Sequence, residues 1–218
     1  MLTLYGNEVS GPSNKVRFVA NALGLSYEYK PVNLLAGENK TEAFLKLSPA
    51  GKVPVIQDDD FVLFESNAII KYLAEKAGSS LYPKDLRRRS VVDQWADFAS
   101  IHIGMAMGRV FVNRVAYKIV GIEQDERSLK DGLEFLGRFL PVVEGQLKKS
   151  AFLAGPELSI ADFSLLAHLD PAEVCSIDLS ATPSLQRWRN ALRDKEFYQK
   201  CFPSYEKMLQ GLAAKMAQ

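Results

Sequence analysis

The sequence predicts an α/β unit with the order β-α-β-α-β-β-α, followed by an all-α helical bundle. Three observations carry this reading. Short β-rich runs alternate with helical periodicity through the first third of the chain, and no further β-rich run follows "GSSLYPKDLRRR". The length of 218 residues also exceeds the ~100 to 200 of an ordinary single domain. The expected division is an α/β domain at 1–79, a linker at 80–88 and a helical domain at 89–218.

Each element has a local signal. "LTLY" is a short β run broken by "GNEVSGPS", after which Val16, Val19, Ala20 and Leu23 recur at helical spacing until Gly24. Pro12 suits the first turn of that helix, where an absent N–H costs nothing. "YEYKPVNL" alternates as a strand and "TEAFLKL" forms a short helix. "KVPVI" and "FVLF" flank the acidic turn "QDDD" as a hairpin, and "FESNAIIKYL" opens a helix that ends near Gly78. Residues 87–118 and 124–149 read as long helices, followed by helical runs in "SIADFSLLAHLDPAEV", "SLQRWRNALR" and "PSYEKMLQGLAAKM". Ser159 and Asp162 have capping-box spacing at the start of the first of these runs, which serves folding.

Composition removes several function classes. With 27 basic against 26 acidic side chains, no global field draws the chain to nucleic acid or an anionic membrane. Arg87, Arg88 and Arg89 read as the solvated start of a helix. Cys175 and Cys201 lie far apart outside any C-x-x-C pattern, so neither a disulfide framework nor a zinc site is expected, and they read as small buried hydrophobes. His102 and His168 fall in helical runs without a second ligand at metal spacing, and Trp95 and Trp188 read as core. The start "MLTLYGNEVS" is unlike a secretory leader, and no segment reaches the ~18 apolar residues of a membrane span. A cytoplasmic protein is expected.

Three places can carry chemistry. Glu65 and Ser66 sit at a helix start, where free N–H groups and a partial positive charge can receive a carboxylate. Ser66 either caps its own helix or binds such a ligand. Glu65 repels an anion and pairs with an ammonium, so the head of an amino acid satisfies both residues. Pro54 inside "KVPVI" marks either an edge strand or a cis turn. If cis, Val53 turns its backbone polar groups toward an extended ligand. Ser10 precedes a helix N-terminus and competes with Ser13 for the capping role. With no histidine near it in sequence, Ser10 is better suited to donate a hydrogen bond than to attack.

Taken together, "LYGNEVSGPSNKVRFV", "LLAGENKTEAFLKLSPAGKVPVI", "FESNAIIKYL" and "LAGPELSIADF" resemble a cytosolic glutathione transferase of the serine type, as in the theta, phi and delta classes. The stretch "GNEV" before Ser10 matches no one class, so none is assigned. The resemblance covers essentially the whole chain and implies a thioredoxin-like N-terminal domain before the helical one. It implies Ser10 as hydrogen-bond donor to the glutathione sulfur and Val53, before a cis Pro54, as backbone partner of the cysteinyl part. Glu65 and Ser66 would hold the γ-glutamyl head, with Lys40 and Lys52 near the rest of the peptide. It further implies a homodimer, with glutathione as co-substrate and no permanently bound cofactor.

The implied mechanism rests on proton energetics. A free thiol with a pKa of about 8.5 is mostly protonated at neutral pH. A hydrogen bond to a charged acceptor contributes roughly 1.5 to 3 kcal/mol, and one pKa unit is about 1.4 kcal/mol, so Ser10 can lower the thiol pKa by about one to two units. The thiolate then attacks an apolar electrophile. Met105, Met107, Arg109 and Val112 offer either a promiscuous pocket or a core stripe; Met105 and Arg109 are the candidates for the pocket. A cysteine in place of Ser10 would favour disulfide exchange. The alternatives are peroxidase, dehalogenase or isomerase use of the same thiolate in place of detoxification, or a non-catalytic assembly protein on this fold.

Overall fold

The computed structural model describes residues 1–216; positions 217 and 218 of the expected helical domain lie outside the described residues. Its first part follows the predicted order: β1 (Leu2–Gly6), α1 (Gly11–Ala22), β2 (Glu28–Pro31), α2 (Glu42–Leu47), β3 (Val55–Asp58), β4 (Phe61–Phe64) and α3 (Ser66–Lys76). A single turn of 3₁₀ helix at Glu38–Lys40, which the sequence pattern does not announce, precedes α2. The sheet order is β2-β1-β3-β4, with β1 parallel to β2 and antiparallel to β3, and β3 antiparallel to β4. This is the thioredoxin-like βαβαββα arrangement, followed by an all-helical bundle.

The bundle begins with α4 (Leu86–Phe98), α5 (Met105–Phe111) and α6 (Tyr117–Val120), joined without a break by wider π-helical stretches at Ala99–Gly104 and Val112–Ala116. The helix expected at 87–118 is therefore present but twice loosened. At Gly104, the last residue of the first stretch, an added Cβ would lie 2.7 Å from the ring of buried His168, so α8 packs closely here only because the residue is glycine. The remaining helices are α7 (Glu126–Leu147), α8 (Ile160–Leu169), α9 (Pro183–Arg193), α10 (Glu196–Gln199) and α11 (Tyr205–Met216).

The capping box at α8 forms as the spacing predicts. Asp162 accepts from Leu153 N, Ser159 N, Ser159 Oγ and Trp188 Nε1. Burial pushes this carboxyl up to about 6, and the four donors oppose that shift, so it is ionised at neutral pH.

One contiguous apolar core runs from Leu4 and Ile56 of the sheet through Phe18, Ile69 and Leu73 to Ile103, Phe163 and Leu165 of the bundle. Helix α1 lies at the seam. Its sequence predicts one apolar face, yet every residue from Ser13 to Ala20 is buried, because α3 and the sheet cover one side and α8 the other. The polar members compensate with hydrogen bonds. Asn14 Nδ2 donates to Glu8 O at 2.7 Å, and Arg17 donates to Asn14 Oδ1 and Cys201 O while its guanidinium lies 4.7 Å from the Tyr29 ring centroid.

Candidate active site

Strand register gathers the sequence-predicted residues at one end of the sheet. Gly6 pairs with Pro31, Tyr5 with Val55, and Val55 with Phe64. The loop after β1, the segment after β2, the peptide before β3 and the start of α3 therefore all leave the sheet at the same edge.

Ser10 is the N-cap of α1, with φ −79° and ψ 113°, and its Oγ accepts from Ser13 N at 3.3 Å. Capping uses the oxygen as acceptor, so the hydroxyl proton remains for a further partner. Ser13 is fully buried, and its Oγ accepts from Asn7 N at 3.2 Å, tying down the loop ahead of Ser10. Asn7 completes that loop by donating to Val32 O and accepting from Val9 N, both at 3.0 Å. The first turn of α1 holds no acidic residue, so nothing in it offsets the partial positive charge beside Ser10.

The Val53–Pro54 peptide is cis. Pro54 is buried, Val53 is half-buried, and the ladder begins only at Val55, so Val53 stands just beyond the end of β3, where its backbone polar groups are outside the ladder. Lys40 and Lys52 are both exposed. Their segments are brought together by Asn39 Nδ2 donating to Gly51 O at 2.8 Å; Gly51 stands at φ +60°, where a side chain is strained, and a Cβ there would lie a tight 3.1 Å from Asn39 O.

Glu65 occupies the N-cap position of α3 with φ 73° and ψ 107°, and makes no side-chain cap. A non-glycine residue in this region costs about 1 to 3 kcal/mol, and such residues cluster at ligand and active sites. Ser66 is the first residue of the helix and half-buried. Its hydroxyl oxygen accepts from Lys15 Nζ at 3.1 Å. Lys15 was not singled out by the sequence reading, although it lies four residues before Val19 and so at the margin of the predicted apolar face. A lysine on a buried stripe was the available signal. Asn67, Ser100 and Ser164, which surround Lys15, carry no such signal.

On the helical side, Tyr205 Oη donates to Val9 O at 2.7 Å, and the Phe111 and Tyr205 rings lie 6.3 Å apart. Tyr205 therefore borders the Ser10 loop, with Phe111 packed behind it. Of the stripe on α5, Met107 is in the core and Met105 is 62% exposed. Arg109 turns toward α7, with Nη1 3.5 Å from Ser128 Oγ. The structure thus brings the segments of Ser10, Val53, Pro54, Glu65 and Ser66 to one end of the sheet, while Met105 is largely exposed and Arg109 reaches toward α7.

Other chemistry is poorly supplied. Burial pushes the Cys175 thiol up to about 12 and the Cys201 thiol to about 11, so neither is a thiolate near neutrality. His102 is packed between Phe98 and Phe139, and His168 is buried, its imidazole held neutral by burial and by nearby Lys15. Among the described residues there is no group of three or more potential metal ligands and no helix long and apolar enough to cross a membrane.

Residues 1–75 match the family "Glutathione S-transferase, N-terminal domain", and residues 96–196 match "Glutathione S-transferase, C-terminal domain". The chain is 38% identical over 149 residues to glutathione S-transferase F10 of Arabidopsis thaliana, covering 67% of this chain and 68% of the relative. It is 32% identical over 215 residues to glutathione S-transferase D7 of Drosophila melanogaster, covering 97% and 90%. It superposes with a TM-score of 0.85 and 29% identity on the theta class glutathione S-transferase of Xanthomonas axonopodis pv. citri with glutathione bound, covering 91% of this chain and 95% of that one.

Proposed function

The chain belongs to the glutathione S-transferase family, and on that premise we propose that it is a serine-type member in which Ser10 stabilises the thiolate of bound glutathione for attack on an apolar electrophile. It is an enzyme of glutathionyl transfer with glutathione as co-substrate. The observation that carries the serine reading is the convergence, at one sheet edge, of the Ser10 hydroxyl, the cis Val53–Pro54 peptide and the Glu65–Ser66 helix start.

In this reading Val53 pairs its backbone with the cysteinyl residue of glutathione, Pro54 holding the turn. Glu65 takes the γ-glutamyl ammonium, Ser66 its carboxylate, and Lys40 and Lys52 the far end of the peptide. The cysteinyl sulfur then comes to Ser10, whose hydroxyl proton is left over from capping. The thiol proton leaves to solvent, and the sulfur lone pair forms the new S–C bond. The electrophile either expels a leaving group with its bonding pair or, where a double bond is attacked, passes the π pair to the far atom, which takes up a proton from solvent. Met105 and Arg109 stand as contributors to electrophile selectivity, while Val9, Phe111 and Tyr205 form the apolar border nearest Ser10. We place the junction of the two domains in the segment 80–88, within which α4, the first helix of the bundle, already begins at Leu86. Exposed Phe61 and Phe64 on β4 and Ile101 on the first π-helical stretch support pairing of two chains into a homodimer. A cytoplasmic setting agrees with the two cysteines being free thiols.

The test is a pH titration of the ultraviolet thiolate absorbance of glutathione, with wild type and Ser10→Ala. A saturable signal whose pKa lies below that of free glutathione, abolished by the substitution, supports the reading. Binding without a pKa shift removes Ser10 from its role, and no binding would move the chain to the non-catalytic members of its fold.

A further inference from the structure

Lys15 is 1% exposed, and its ammonium meets three neutral acceptors: Asn67 Oδ1 at 2.7 Å, Ser100 Oγ at 3.0 Å and Ser66 Oγ at 3.1 Å. Three N–H groups and three acceptors leave no donor over. The acceptors are themselves held. Ser100 Oγ donates to Asn67 Oδ1 at 3.2 Å and lies 3.1 Å from Ser164 Oγ, while Asn67 Nδ2 donates to Asp97 Oδ1 at 3.2 Å. The cluster joins α1, α3, the π-helical stretch after α4, and α8 across the seam between the two halves of the chain.

The direction of the hydrogen bond to Ser66 has a consequence. A charged ammonium can only donate, so on that side Ser66 Oγ is an acceptor, and its own proton must point elsewhere. Among the described residues no protein acceptor takes that proton, and Ser66 stands half-buried at the α3 start, beside Glu65. If Lys15 were neutral, its nitrogen lone pair would offer a nearer acceptor and the Ser66 hydroxyl could turn inward.

We propose that Lys15 is a positioning residue for the γ-glutamyl carboxylate: as an ammonium it orients the Ser66 hydroxyl outward as donor, so that carboxylate binding is linked to proton uptake by Lys15. This rests on the reading of Ser66 as part of the glutathione site. Every charged neighbour bears on the linkage. Burial lowers Lys15 to about 7; Glu65 and Asp97 favour its charged form, and Lys71 on α3 opposes it. His168 on α8 faces it as a neutral imidazole. A bound carboxylate adds an anion behind one hydroxyl and raises the Lys15 pKa. Affinity is therefore fully present below about pH 7 and is lost as pH rises through the bound-state pKa.

Calorimetric titration with S-methylglutathione, whose sulfur has no proton to confuse the count, tests this in buffers of different ionisation enthalpy between pH 6 and 9. Wild type should take up a fraction of a proton per site, greatest just above pH 7, with affinity falling about tenfold across the range. An analogue bearing a γ-aminobutyryl group in place of γ-glutamyl, which keeps the amine and lacks the carboxylate, should bind more weakly with no uptake. Lys15→Met should bind weakly at all pH values. Wild-type affinity that is flat with pH, or uptake that persists with the analogue, overturns the proposal without recourse to any variant. Absence of S-methylglutathione binding at every pH would instead overturn the functional reading on which it rests.

Discussion

The starts of α1 and α3 face the same sheet edge and are built in opposite ways. At α1 the cap is local: Ser10 has ordinary extended backbone and its oxygen accepts from Ser13 N three residues on. At α3 the cap position is Glu65 at φ 73°, with no side-chain cap, and the first helical residue is held from behind by Lys15, 51 residues earlier in sequence. A locally capped hydroxyl keeps its proton and its place whatever the rest of the molecule does. A hydroxyl oriented by a distant ammonium depends on both halves of the chain being assembled. The first arrangement suits a donor to a reacting sulfur, and the second suits a subsite that recognises a charged head group.

The sharpest test of this difference is Ser10→Ala, which removes the hydroxyl proposed as donor to the sulfur. Loss of one to two pKa units of thiol activation should lower turnover roughly 10- to 100-fold while leaving KM for glutathione within about twofold, measured by steady-state kinetics with saturating electrophile. Next in size, Glu65→Gln should weaken glutathione about tenfold, through loss of one charge-assisted contact, with the pKa of the bound thiol unmoved. If Ser10→Ala weakened binding and Glu65→Gln moved the thiol pKa, the division of labour between the two helix starts would collapse.

Ser13→Ala is the control inside the α1 start. It strips the partner from Asn7 N and should cost about 1 to 2 kcal/mol of stability in urea denaturation with turnover nearly kept. A large fall in turnover with unchanged stability would transfer the catalytic role from Ser10 to Ser13. The smallest effect is expected for Glu65→Gly on stability. Relief of a positive φ, about 1 kcal/mol at the low end of such strain, opposes the greater chain entropy of glycine, so the net change in urea should stay under about 1 kcal/mol. A loss of several kcal/mol would mean that the Glu65 side chain, not only its backbone, holds the α3 start.

Much of the architecture was legible without coordinates because its signals are short-ranged. Pro12 and Gly24 bracket α1, alternation locates the hairpin across "QDDD", and Ser159 with Asp162 announces the start of α8. Each of these relations spans a few residues along one element. Ser10, Pro54, Glu65 and Ser66 were legible for the same reason, being polar or rigid residues at the joints between elements. The close approach of His168 to Gly104 was not, since it is made by another helix and leaves no mark in the α4–α5 pattern.

By itself, then, the sequence determined which elements form, in what order, and which residues stand at their ends. Only the tertiary structure decided that every residue of α1 from Ser13 to Ala20 is buried and that its lysine reaches Ser66, Asn67 and Ser100 at separations of 51, 52 and 85 residues. It also decided that Arg109 turns toward α7. The physical reason is that periodicity and capping record what a segment needs of its own backbone. The partner of a buried charge is chosen by whichever elements close over it, and no local pattern records that choice.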